Sequence, residues 1–183
     1  MYCPDLECVF VHVPRTAGTS ITMALAPHCP DIVWKPDGAP DPDHSSFARQ
    51  CARYGLAPSS VLSFAFVRNP WERYVSFYDL YRRMRRDMSP EELMEAEQND
   101  AGLLYAELPF ARWFELCFDP DTSESLTRPI SRWIESIDFL GQYEKLDESF
   151  EVLCVLLGLP ELTLPRSNAR RVPAVPYVEL FTP

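Results

Sequence analysis

Basic residues are scarce in this chain: 17 lysines and arginines stand against 27 aspartates and glutamates, a formal net charge of −10. That balance argues against general nucleic-acid binding, which runs on basic surfaces, and disfavours a highly anionic polymer as partner except at a local basic patch. Long apolar runs are missing as well. No stretch approaches the length of a membrane span, and the N-terminus has no basic region leading into an apolar one, so a cytoplasmic protein is expected. Cysteines in paired short spacings are also lacking. Cys3, Cys8, Cys29, Cys51, Cys117 and Cys154 lie scattered. Even with His12 added to the first three they fit no common zinc pattern, so no metal is expected. Buried or incidental thiols in a reducing compartment are the plainer reading. Glycine is rare, six against eighteen prolines, which gives each one positional meaning, Gly18 above all.

What is present is a globular composition: 183 residues, 46% hydrophobic and 13% aromatic. One domain over 1–183 with a sizeable core is expected, and the oligomeric state stays open. Glu7 to Val13 is nearly continuous in apolar residues, as in a strand covered on both faces of a parallel sheet. Pro14 ends it, and a helix is expected from Ser20 to Leu25. Residues 27–43 read as a loop with a short strand at 31–34. Ser45 is expected to cap a helix reaching Tyr54, with His44 just outside its start.

Ser60 to Val67 is a second buried strand. It delivers Arg68 and Asn69, with Pro70 at the favoured first position of a helix running to Arg86. In that helix Trp71, Val75 and Tyr78 are expected to share the core side, and Arg73, Ser76 and Arg83 another. A helix capped by Ser89 and then a mobile loop are expected over 87–108. A further helix covers Phe110 to Phe118, a third strand Ile137 to Gly141, and a last helix Leu146 to Leu157, stopped by Gly158. Alternating strands and helices imply right-handed crossovers and a three-layer α/β/α domain with a mostly parallel sheet. Ligands in such sheets bind at the carboxyl ends of the strands, where Arg15 and Arg68 emerge.

The stretch from Val9 to Ile21 carries the clearest chemistry. A strand, a tight loop with Arg15 and Gly18, and hydroxyls at a helix start together suit an anion. Unpaired N–H groups and the positive end of the helix dipole converge there. Thr19 and Ser20 are expected to cap the helix, and Gly18 to let the backbone come close to a ligand. The loop is not a Walker A motif, because its basic residue precedes the glycine and only one glycine is present.

Pro14-Arg15-Thr16-Ala17-Gly18-Thr19-Ser20 after one strand, and Arg68-Asn69-Pro70-Trp71-Glu72-Arg73-Tyr74-Val75-Ser76 after another, resemble the paired signatures of PAPS-dependent sulfotransferases. The nearest likeness is to the carbohydrate sulfotransferase branch and its bacterial relatives. The resemblance implies the P-loop-kinase-like fold of that family. It implies that residues 15–20 (Arg15, Thr16, Ala17, Gly18, Thr19, Ser20) hold the 5′-phosphosulfate of 3′-phosphoadenosine 5′-phosphosulfate (PAPS), and that Arg68 and Ser76 hold its 3′-phosphate. His44 resembles the family's general base, and Arg15 stands where the family carries a catalytic lysine. Residues 139–146 and the Leu164 to Asn168 stretch resemble later elements of the family. Gln142 stands where an arginine is usual, and the chain ends at Pro183, so part of the usual C-terminal region is expected to be missing. The implied reaction moves a sulfuryl group to a hydroxyl acceptor, favoured as a carbohydrate, without a metal. A nucleotide kinase-like phosphotransferase and a catalytically silent nucleotide-binding relative are the alternatives.

The remaining basic and imidazole groups have plainer readings. Arg73 is weighed evenly between the phosphate site and a plainer place, in a helix salt bridge or over apolar surface. His12, inside a strand, reads as a satisfied core residue. Arg82, Arg83, Arg85 and Arg86 read as a solvated helix end or, less simply, as the lining of an acidic acceptor site.

Overall fold

Four strands line up in the order β1 (Tyr2–Cys3), β2 (Cys8–Val11), β3 (Leu62–Val67) and β4 (Phe139–Gln142). The computed structural model describes residues 1–30, 44–117 and 134–166. β1 runs antiparallel to β2, whereas β2, β3 and β4 are parallel, with Phe10 opposite Phe64 and Ala65 opposite Leu140. The α/β class and the mostly parallel sheet expected from the sequence are present. The short strand expected at 31–34 lies outside the described residues.

Period-two alternation explains how the sheet is covered on both faces. Cys8, Phe10, Phe64 and Phe66 point to one side, where they pack with Ile21 and Leu25 of α1 (Gly18–Leu25) and with Phe150, Leu153 and Cys154 further along the chain. Val9, Val11, Val13 and Ala65 point to the other, against Phe47 and Cys51 of α2 (Phe47–Tyr54). The result is helix, sheet, helix. The register of β4 is pinned by Asp138, whose carboxylate accepts from the Ser63 N–H at 2.8 Å and the Ser63 hydroxyl at 2.6 Å. Those bonds hold the Asp138 carboxyl below its ordinary range.

Two compact units are present: residues 1–69 with 134–166 form the first, and residues 70–117 belong to the second. It holds α3 (Pro70–Asp87), α4 (Pro90–Glu97), α5 (Ala101–Leu104) and α6 (Phe110–Cys117). Its core is Val75, Phe77, Tyr78 and Tyr81 of α3 with Leu103, Ala106, Phe110 and Trp113. Ser89 and Glu92 form a complete capping box on α4. Where a mobile loop was expected after α4, the structure has α5, capped by Asp100, whose side chain accepts from the Gly102 N–H at 2.8 Å. Trp113 anchors that turn by donating its indole N–H to the Gly102 carbonyl at 3.0 Å. Trp71, expected on the core side, is 43% exposed; the aromatic seam of α3 is instead continued by Tyr74, Tyr78 and Tyr81.

The last helix, α7 (Leu146–Leu156), ends as the glycine predicts. Gly158 has φ 66°, and the N–H groups of Leu159 and Gly158 return to the carbonyls of Cys154 and Val155 at 2.9 and 3.1 Å. This is a Schellman motif.

The expectation of incidental thiols fails at one pair. Cys3 and Cys29 form a disulfide across 26 residues of chain, fastening the edge strand to the turn after α1. Cys8, Cys51, Cys117 and Cys154 are free and buried. Burial pushes the thiols of Cys8 and Cys117 up to about 12, so they stay protonated.

Candidate functional site

The chain leaves β2 in a tight turn. The Val13 N–H returns to the Val11 carbonyl at 3.0 Å, and the Thr16 hydroxyl donates to the Val13 carbonyl at 2.8 Å. Thr16 is fully buried by this bond. Two non-glycine residues then adopt left-handed backbone, Arg15 at φ 69° and Ala17 at φ 67°. Each costs roughly 1–2 kcal/mol for a residue with a Cβ, the kind of local strain that clusters at ligand-holding loops. Such left-handed turns are the backbone from which anion-binding concavities are built.

α1 begins earlier than expected. Ala17, not Thr19 or Ser20, is its N-cap, and no side chain caps it. Thr19 and Ser20 fall inside the first turn, among the residues whose N–H groups have no intrahelical acceptor. The early start is possible because Gly18 lacks a Cβ. An alanine there would overlap the His12 ring, so this glycine is required by the packing of an imidazole as well as by any ligand. Arg15 is half-buried.

His12 lies at the end of β2 on the α1 side, with its ring stacked on Phe10 at 5.5 Å between centroids. It is 7% exposed. Burial first, and then the charges of His44, the N-terminal amine and Arg15, push it down to about 3, so it is neutral at any ordinary pH. Its ring also meets that of His44 at 4.7 Å.

His44 is exposed, and its Nδ1 lies 3.0 Å from the His12 carbonyl oxygen. A carbonyl can only accept, so Nδ1 carries the proton and donates. In the neutral ring this places the lone pair on Nε2, the tautomer a proton acceptor needs. The capping residue of α2 is Ser46 and not Ser45. The Ser45 carbonyl is taken by the buried side chain of Gln50 at 3.1 Å, and the same amide reaches the Phe10 carbonyl at 3.3 Å. Gln50 thus ties the segment carrying His44 to β2, just ahead of His12.

Because β2, β3 and β4 are parallel and in register, their carboxyl ends share one edge of the sheet. Arg68 follows β3 there, with its guanidinium 4.1 Å over the Tyr143 ring. The Asn69 N–H donates to Glu144 at 2.6 Å. Tyr143 and Glu144 were not singled out from the sequence; the signal was their position just after a strand adjoining β3. Gln142 is exposed at the end of β4.

The structure brings Arg15, residues 16–20, His44 and Arg68 into the first unit, at or near that edge. Ser76 lies half-buried on α3 in the second unit, and Arg73, on the same helix, is buried. Arg73 is 5% exposed and sits over the Phe77 ring at 5.0 Å, and burial lowers it from the ordinary arginine range. Its guanidinium covers apolar surface, one of the plainer settings expected of it. Leu164, Pro165 and Arg166 are described, whereas Ser167 and Asn168 lie outside the described residues. No group of three or more histidine, cysteine or acidic side chains that could hold a metal occurs among the described residues, nor does a helix long and apolar enough to cross a membrane.

Residues 1–175 match the family described as "Sulfotransferase family". An uncharacterized protein of Archaeoglobus fulgidus is 29% identical over 100 residues, which cover 55% of this chain and 70% of the relative. No solved structure matches.

Proposed function

The chain belongs to the sulfotransferase family, and from that premise we propose that it is a single-domain PAPS-dependent enzyme that sulfates a hydroxyl, in the first instance that of a carbohydrate. The observation that carries the reading is the imidazole of His44, held through its Nδ1–H on the His12 carbonyl beside the loop that opens α1. The residues present fit an anionic donor. Left-handed backbone, an N-terminal helix turn with no side-chain cap, and two arginines meet at one edge of the sheet.

PAPS, when bound, supplies the sulfuryl group and a phosphate as leaving group. In this reading the N–H groups of 17–20 and the hydroxyls of Thr19 and Ser20 hold the 5′ side. Thr16 contributes through its backbone, since its hydroxyl already donates to Val13. Arg68 holds the 3′-phosphate from the end of β3, its guanidinium braced on Tyr143; for Ser76, in the second unit, the same role is what the family resemblance implies. His44 Nε2 accepts the proton of the acceptor hydroxyl as its oxygen bonds to sulfur. Arg15 stabilises charge on the departing phosphate oxygen. Arginine can offer two N–H groups but does not readily give up a proton, so its part is electrostatic.

The test is calorimetric titration with 3′-phosphoadenosine 5′-phosphate, ADP and ATP. Tighter binding of the 3′-phosphorylated nucleotide is expected, and equal or tighter binding of ATP would sink the reading. His44→Ala should abolish transfer from labelled PAPS to a glycan panel while nucleotide affinity stays within about twofold. Loss of both would make His44 structural. A wild-type protein that binds the nucleotide but transfers nothing to glycans, lipids or small alcohols would be the silent relative.

A further inference from the structure

We propose that the second unit carries an anion pocket of its own, which takes a phosphate or sulfate group attached to a small molecule. The cavity measures about 360 Å³ and is lined by Arg82, Arg85, Arg86, Leu93, Ala106 and Glu107. Its lining holds three guanidiniums and one carboxylate, with a second carboxylate, Glu97, paired to Arg85 from outside the lining, in a chain whose total charge is −10. Helical spacing accounts for the cluster, because positions 82, 85 and 86 share one face of α3. Like charges at that spacing repel one another, and a multivalent anion among them removes the repulsion.

Arg85 is the fixed member. It is paired with Glu97 and donates to the Leu103 carbonyl at 3.2 Å. Its Nε lies 3.1 Å from a Glu107 oxygen, yet that nitrogen is buried and makes no hydrogen bond among the described residues. Glu107 therefore supplies charge without satisfying the donor. Its side chain is 77% exposed, so swinging it aside costs little.

The flanking arginines complete the pocket. Arg82 lies over the Tyr78 ring at 5.4 Å, and Arg86 is exposed and makes no ion pair among the described residues. A tetrahedral oxyanion offers three outward oxygens, enough for the Arg85 Nε–H and both neighbours at once. Leu93 and Ala106 present apolar surface to whatever carries the anion, which is why an attached group fits better than a bare ion. The cavity is of the size that small ligands occupy.

The experiment follows the arginine Nε–Hε resonances of the full-length protein by ¹⁵N–¹H NMR, with Arg85→Lys to assign the Arg85 signal. Phenyl phosphate and inorganic sulfate are titrated separately. A saturable shift of the Arg85 resonance is expected, with phenyl phosphate binding several-fold tighter than sulfate. Arg86→Ala should weaken binding at least fivefold, and Glu107→Gln should tighten it by removing the competing carboxylate. The readout sits on Arg85 itself, so an anion bound at the α1 loop does not register, and the result is independent of the sulfotransferase reading. An unshifted Arg85 resonance at 20 mM phenyl phosphate, or a Glu107→Gln variant that binds no tighter, overturns the pocket. Sulfate binding as tightly as phenyl phosphate overturns the attached-group assignment.

Discussion

Replacing His12 with phenylalanine should flatten part of the protein's acid sensitivity. In the native state His12 is buried and pushed down to about 3, whereas in the unfolded chain it titrates near its ordinary value of about 6.5. Above pH 6.5 both states carry it neutral, and it contributes nothing to the pH dependence. As the pH falls below 6.5 the unfolded chain takes up a proton that the folded chain refuses. Stability therefore drops by about 1.4 kcal/mol per pH unit until the folded value near 3 is reached. Integrated from pH 7.5 to pH 5, this one imidazole destabilises the fold by about 2 kcal/mol. Phenylalanine keeps an aromatic ring stacked on Phe10 and removes the titration. Urea unfolding followed by circular dichroism at the two pH values gives the comparison. Wild type should lose about 2 kcal/mol more than His12→Phe over that interval. Should phenylalanine prevent folding, His12→Gln serves the same purpose. Curves that run parallel to within about 0.5 kcal/mol would mean that His12 is hydrated and titrates normally, and the account of its neutral burial would be wrong.

Three further outcomes are expected in the same region. Gly18→Ala drives a methyl into the His12 ring, which is wedged between Phe10 and His44; a loss of about 3 kcal/mol is expected by chemical denaturation, and a neutral result would show that the ring has room to move. Ala17→Gly relieves left-handed strain at φ 67° and gives part of it back as unfolded-state entropy, so a gain of about 0.5 kcal/mol in urea is expected, and a loss would contradict that backbone conformation. Reducing the Cys3–Cys29 disulfide, or replacing both cysteines with serine, reopens a 26-residue separation and should lower stability by about 3 kcal/mol, read as a shift in the urea midpoint that a reductant adds to wild type and not to the double variant.

Much of this protein was determined by its sequence alone, and those parts share a physical character. The nearly continuous apolar runs ending at Val13 and Val67, the Pro70 helix start, the Ser89 cap and the Gly158 stop each depend on residues within a few positions of one another. Local geometry decides them. The two arginines that leave the ends of β2 and β3 were legible for the same reason, since parallel strands deliver their next residues to one edge of the sheet. The tertiary structure alone decided the contacts that join distant positions. Among these are the antiparallel edge strand β1 and its bridge from Cys3 to Cys29, the amide of Gln50 reaching two carbonyls, and Tyr143 beneath Arg68. The loop that begins α1 shows the division most plainly. Its composition led to the expectation of an anion site, but the packing requirement for Gly18 and the Nδ1–H bond of His44 both come from His12, a residue whose spacing gave no hint of either. Only the fold brings a strand end, a helix start and the residue before a second helix against one imidazole, because such contacts are selected by packing across the core and leave no period in the chain.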